Sequence, residues 1–153
     1  MTAMKSALVR LSKKIRRILL RKQLRQRNVI IHKSVVFDGA TFEKEGCNKI
    51  HEYTSVMNSQ IGWGTFIGTH CSLPNSIIGR FCSIGHNIRV IYTTHPSRKF
   101  VSTSPSFYST LKQNGLSFVE NNCFEEQLKC ESGRYVEIGN DVWIGNDVIL
   151  RGG

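Results

Sequence analysis

A six-residue beat runs through the middle of the chain and limits what it can fold into. Set on its aliphatic residues, the sequence reads IGWGTF, IGTHCS, LPNSI, IGRFCS, IGHNIR and VIYTTH from residues 61, 67, 73, 78, 84 and 90. After a gap it resumes as IGNDVW from Ile138 and IGNDVI from Ile144, and weaker copies (IHKSVV, FDGATF, IHEYTS, VMNSQ) start at residues 31, 37, 50 and 56. A unit this short cannot bury its own apolar face, so it must stack on its neighbours. The aliphatic residue at position one and the small or β-branched residue at position five (Thr65, Cys71, Cys82, Val142, Val148) can face one interior. The recurrent glycine at position two suits a corner that needs unusual dihedrals. The pattern therefore predicts an all-β chain of short strands and corners, a parallel β-solenoid. Sandwich strands recur at a longer and less regular spacing. Periodicity alone leaves the handedness open.

The beat stops at His95 and Pro96. Proline has no amide hydrogen to give to a ladder, so Pro96 is a natural exit. Residues 96–135 then make a long inserted loop, and loops of this length within compact folds commonly carry function.

The run IGRFCSIGHNIRVIYTTHP, followed by IGNDVWIGNDVIL, resembles the hexapeptide-repeat acyltransferases. Within them it is similar to the branch that acetylates sugars of capsule, exopolysaccharide and lipopolysaccharide, which is related to the maltose/galactoside and xenobiotic acetyltransferases. The resemblance covers most of residues 50–150. It implies a left-handed parallel β-helix with three six-residue faces per coil, assembled as a homotrimer with active sites between subunits. It also implies that His95 is the general base, taking a proton from a sugar hydroxyl that attacks acetyl-CoA directly. A neutral imidazole has the proton affinity for that task near neutral pH. His32, His51, His70 and His86 occupy ordinary repeat positions.

By the same resemblance Trp143, in the outward slot after Val142, lines the cleft near the pantetheine of acetyl-CoA; packing against the loop is an equally physical role. Asn87 and Asn58 can orient a sugar hydroxyl or the histidine, Asn87 being a substrate-binding candidate, although corner asparagines usually bond locally. Ser102, Ser104, Tyr108, Arg98 and Lys99 of the loop offer donors to a polyhydroxylated acceptor, with Tyr108 the substrate-binding candidate. No metal is expected: a zinc hydratase on such a scaffold needs three converging histidines, and His86 and His95 have no close third.

The net charge is +10, and residues 1–27 carry ten Lys and Arg with no acid, while the remainder is balanced. Met4, Leu8, Leu11, Ile15 and Ile18 form an apolar stripe along a basic amphipathic helix spanning this arm. Such a helix either lies on an anionic membrane or caps the first coil of a solenoid, and the stripe fits both. Nucleic acid is not expected, since no aromatic residue interleaves the cations. No run of apolar residues is long enough for a span, and the arm lacks the uninterrupted apolar core of a signal peptide. The expected location is the cytoplasm, with the inner face of the membrane as a peripheral site. Five cysteines without a CxxC pair read as reduced packing residues.

The chain closes on LRGG, early in the face that starts at Leu150. The family resemblance leads one to expect further coils lining the CoA trough. The 28–153 domain is therefore expected to be truncated, and a catalytically inactive β-helix acting only as an assembly module stands as the alternative to the enzyme.

Overall fold

The computed structural model describes residues 15–153; Met4, Leu8 and Leu11 of the apolar stripe lie outside them. Residues 15–25 form one helix, α1. Among the described residues eleven short strands follow in chain order: β1 (Ile30–Ile31), β2 (Thr41–Phe42), β3 (Lys49–Ile50), β4 (Gln60–Ile61), β5 (Phe66–Ile67), β6 (Ser76–Ile78), β7 (Ser83–Ile84), β8 (Arg89–Ile91), β9 (Val136–Ile138), β10 (Trp143–Ile144) and β11 (Ile149–Arg151).

The strands pair in parallel into three sheets. The first runs β1-β3-β5-β7-β10, another β2-β4-β6-β9, and a third joins β8 to β11, extended by single bridges Val36–Ser55–Ser72–Arg89. The chain visits the three in rotation, an order compatible with a parallel solenoid. The first circuit advances by 19 residues, as from Ile31 to Ile50, and the following ones by 17, as from Thr65 to Cys82. Across the inserted loop the step becomes 60, as from Arg80 to Asn140, and the register is nevertheless resumed. No helix among the described residues is long and apolar enough to cross a membrane.

The aliphatic beat forms the core. Ile31, Ile50, Ile67 and Ile84 stack along the first sheet, Ile61, Ile78 and Ile138 along the second, and Phe37, Val56, Leu73 and Val90 along the third, all buried. Each such side chain contributes roughly 1.5–3 kcal/mol when fully withdrawn from water.

The glycines at position two are not the corners. The left-handed dihedrals fall at position four, on Gly64, His70, Phe81, Asn87, Asp141 and Asp147. Gly62, Gly68, Gly79 and Gly85 at position two are needed for close stacking, whereas a Cβ on Gly139 or Gly145 would meet nothing within 4 Å: a Cβ on Gly79 would lie 2.4 Å from the carbonyl oxygen of Gly139 in the next circuit, and one on Gly68 would lie 2.5 Å from that of Gly85. The position-two carbonyls are in turn held by position five of the circuit before. Thr54 and Thr65 Oγ1 donate to Gly68 and Gly79 O at 2.7 Å, and the Cys71 and Cys82 thiols donate to Gly85 and Gly139 O at 3.2 and 3.0 Å. Where position five is Thr or Cys it is thus an interior donor as well as a packing residue. Burial pushes the Cys71 thiol pKa up, which keeps it a neutral donor.

Helix α1 covers the first circuit. Leu24 is buried in the core cluster beside Val29 and Val35. In β1 the amides of Ile30 and His32 point to the second circuit, so the Ile31 carbonyl points away from it. Arg21 supplies what a neighbouring strand would: its guanidinium donates to Ile31 O (2.7 Å), His32 O (2.9 Å) and Val35 O (3.2 Å), and lies 4.8 Å over the Phe37 ring. Burial, then repulsion from Arg17 and Arg25, lowers its pKa. Arg27 likewise donates to Phe42, Glu43 and Lys44 carbonyls.

Candidate active site

The circuits are left at Ile91, not at Pro96. After β8 the chain turns to its own return leg: Leu128 donates to Tyr92 O, Thr94 to Glu126 O, and Thr93 bridges Gln127 in antiparallel fashion. The excursion therefore covers residues 92–135. Its two ends are pinned by Tyr92 and Tyr135, whose rings stack in parallel with centroids 3.9 Å apart. His95 lies within the outgoing leg, four positions beyond the last strand residue.

Around His95 the loop builds a small core of its own. A 3-10 turn, Pro105–Phe107, delivers Tyr108, which is 0% exposed despite lying far from the circuits in sequence. Its ring meets Phe124 edge-on at 5.5 Å and Phe100 at 6.0 Å. The backbone around it is clasped by Cys123 N–H to Tyr108 O, Phe118 N–H to Ser106 O, and Ser117 Oγ to Ser109 O. Side chains complete the clasp, with Ser106 bonded to Asn114 and Thr110 to Asn122.

The Tyr108 hydroxyl oxygen lies 2.9 Å from His95 Nδ1. His95 itself is exposed, and among the described residues no hydrogen bond occupies its Nε2. Burial, and secondarily the nearby Glu126 carboxylate, raises the Tyr108 pKa, so the phenol stays neutral. A neutral phenol can accept from Nδ1–H, which leaves the Nε2 lone pair as the basic site; in the other tautomer the phenol donates and Nε2 carries the proton. The hydroxyl can therefore hold the ring in place in either tautomer, and the tautomer with the proton on Nδ1 leaves Nε2 as a base.

Tyr108 is thus placed behind His95 rather than in front of an acceptor. The sequence presents it as the substrate-binding hydroxyl of a polar loop; the PSFYS turn and the aromatic residues at 100 and 124 were the available signal for a buried role. Ser102 and Ser104 are engaged in local turns, while Arg98 and Lys99 are exposed. Asn87 is a left-handed corner whose amide donates to Asp147 Oδ1 at 2.6 Å, and Asn58 is another, whose carbonyl accepts from Arg134. Trp143 stands on the outer surface of the first sheet, 81% exposed, beside Ser83. No hydrogen bond or ring contact among the described residues joins Trp143 or Asn87 to His95.

The other histidines sit along the circuits. His32 and His51 flank the Glu52 carboxylate at 3.4 and 3.5 Å, His70 stacks on Tyr53, and His86 Nδ1 accepts from Thr69 N–H. Among the described residues no three His, Cys, Asp or Glu side chains converge as a ligand set. Compared with protein-family models, with curated proteins and with solved structures, the chain finds no match in any of the three.

Proposed function

We propose that the chain is an acetyl-CoA-dependent O-acetyltransferase of the hexapeptide-repeat, left-handed β-helix type, acting on a sugar hydroxyl in capsule, exopolysaccharide or lipopolysaccharide biosynthesis. The observation that carries this reading is an exposed His95 whose Nδ1 is bonded to a buried, neutral Tyr108 while Nε2 is left for chemistry. In the proposed step Nε2 accepts the proton of the acceptor hydroxyl as its oxygen attacks the thioester carbonyl. The tetrahedral intermediate expels the CoA thiolate, which takes the proton back from His95 and leaves as the thiol. The exposed Trp143 offers a surface for the pantetheine arm, and a homotrimer would bring the sheet of one subunit against the loop of the next. Acetyl-CoA as donor fits a cytoplasmic enzyme.

Incubating the purified chain with acetyl-CoA and a panel of sugars and nucleotide sugars, and following free thiol, tests this: thiol release that depends on the acceptor is expected. One observation favours a second reading, an assembly module without catalysis. The outward column of the first sheet carries exposed Ile30, Phe66 and Trp143, alternating with Lys49 and Ser83, and so offers three large apolar side chains for contact with another protein surface. Absence of thiol release with every acceptor, together with stable self-association, would select that reading.

A further inference from the structure

Helix α1 has two faces with different work to do, and only one of them is used by the circuits. At 3.6 residues per turn, positions 17, 20, 21 and 24 share one side and positions 15, 18, 19 and 22 the opposite one. The first set holds the cap: Leu24 is buried, Arg21 holds the carbonyls of the first circuit, and Arg17 bonds Asp38 with its Nε 3.0 Å from Oδ1. The second set presents Ile15, Ile18 and Leu19, exposed by 50, 58 and 62%, with Lys22 exposed among them and exposed Arg25 two turns beyond Ile18 on the same side. The sequence stripe that continues to Leu11, Leu8 and Met4 keeps the spacing of this outer side. Capping therefore does not account for Ile15, Ile18 and Leu19, since the cap among the described residues is made by others.

We propose that the outer face of α1 docks on an anionic lipid bilayer. Three neighbouring large aliphatic side chains bordered by cations, in an arm with ten Lys and Arg and no acid, match the two components of interfacial binding: apolar insertion and attraction to acidic headgroups. The inner face keeps the helix fixed to the first circuit, so the bilayer would hold the whole domain in a set orientation. This surface is independent of the acyl-transfer reading.

Deleting the arm would remove cap and membrane face together, so point changes are needed. The full chain is sedimented with vesicles of phosphatidylcholine, with and without phosphatidylserine, at low and high salt. Ile15→Gln, Ile18→Gln and Leu19→Gln combined should weaken binding to the acidic vesicles by about tenfold or more, with an unchanged melting temperature. Lys22→Glu with Arg25→Glu should weaken it at low salt by about fivefold per cation removed. Leu24→Ala should lower the melting temperature and leave vesicle affinity in place. Three outcomes would overturn the proposal. The first is vesicle binding by the triple variant equal to that of the unaltered chain. The second is a melting temperature reduced as far as in Leu24→Ala. The third is a loss of self-association in the triple variant when the unaltered chain binds no vesicles, which would assign the face to a second copy of the chain.

Discussion

The circuits and the inserted loop reach order by different routes. In the circuits each contact is one of a series: the bond from Thr65 Oγ1 to Gly79 O recurs from Cys82 to Gly139, and Ile67 stacks on Ile84 as Ile50 stacks on Ile67. In the loop each contact occurs once, and several converge on Tyr108: the Phe100 and Phe124 rings, the Cys123 amide and the His95 imidazole. A repeated contact distributes its stabilisation over many residues, whereas a single buried side chain concentrates it. The exposed imidazole is attached to the second kind of structure, on a scaffold made of the first.

If this contrast is right, substitutions should separate function from stability by region. His95→Ala should show the largest effect, a loss of roughly two to four orders of magnitude in acetyl-transfer turnover, with only about 0.5–1.5 kcal/mol of stability lost with the bond to Tyr108, because the imidazole itself is exposed. Unchanged turnover in the thiol-release assay would sink the mechanism. Gly79→Ala comes next. The new methyl would meet the carbonyl carbon and oxygen of Gly139 at 2.6 and 2.4 Å, backbone atoms that cannot swing away, so about 1–3 kcal/mol of stability should be lost in denaturant titration. Gly115→Ala in the loop meets nothing within 4 Å and suffers only from its φ of +83°, so its loss should be nearer 1 kcal/mol. Equal losses at the two glycines would erase the distinction between stacked and solitary positions.

The smallest effect is a pH dependence. Tyr108 and Tyr135 both hold their phenol protons more firmly when folded, through burial first and then Glu126 or Tyr92. The folded chain thus binds more protons than the unfolded one once the pH passes the ordinary tyrosine value of about 10, and stability should fall as the pH rises from there. Tyr108→Phe should make this alkaline decline shallower, while costing about 0.5–1.5 kcal/mol at neutral pH for the lost bond to His95. Melting temperatures followed from neutral to alkaline pH check both parts; an alkaline limb identical to that of the unaltered chain would show that Tyr108 ionises no differently in the fold.

The same contrast explains what the sequence could reveal. The beat at Ile61, Ile67, Ile78 and Ile84 identified the buried columns, because one physical demand is written at every repeat. Position-two glycine reads as a corner in the sequence because glycine serves both positive φ and close backbone approach, and a sequence does not say which; the corners include Phe81, His70 and Asp141. In the arm, Ile15 and Ile18 were visible as a stripe, but the residues that cap are Leu24 and two arginines, and an arginine that replaces a missing strand looks like any other surface cation. The contact of Tyr108 with His95 left no periodic trace at all. The chain's point of departure was placed at Pro96 by its missing amide, whereas pairing with the return leg draws it away at Tyr92.

The stacked rings of Tyr92 and Tyr135 bear on how such a chain could change over generations. They bring the two ends of the excursion together at the height of one circuit, so the strands on either side need not sense what lies between them. For a segment whose ends are already held, the entropy of closure grows only with the logarithm of its length, about 0.6 kcal/mol for each doubling. Residues could be added to or removed from the far part of the excursion at little thermodynamic penalty, and the register from β6 to β9 would survive. The clasp thus makes the scaffold heritable separately from whatever the excursion recognises.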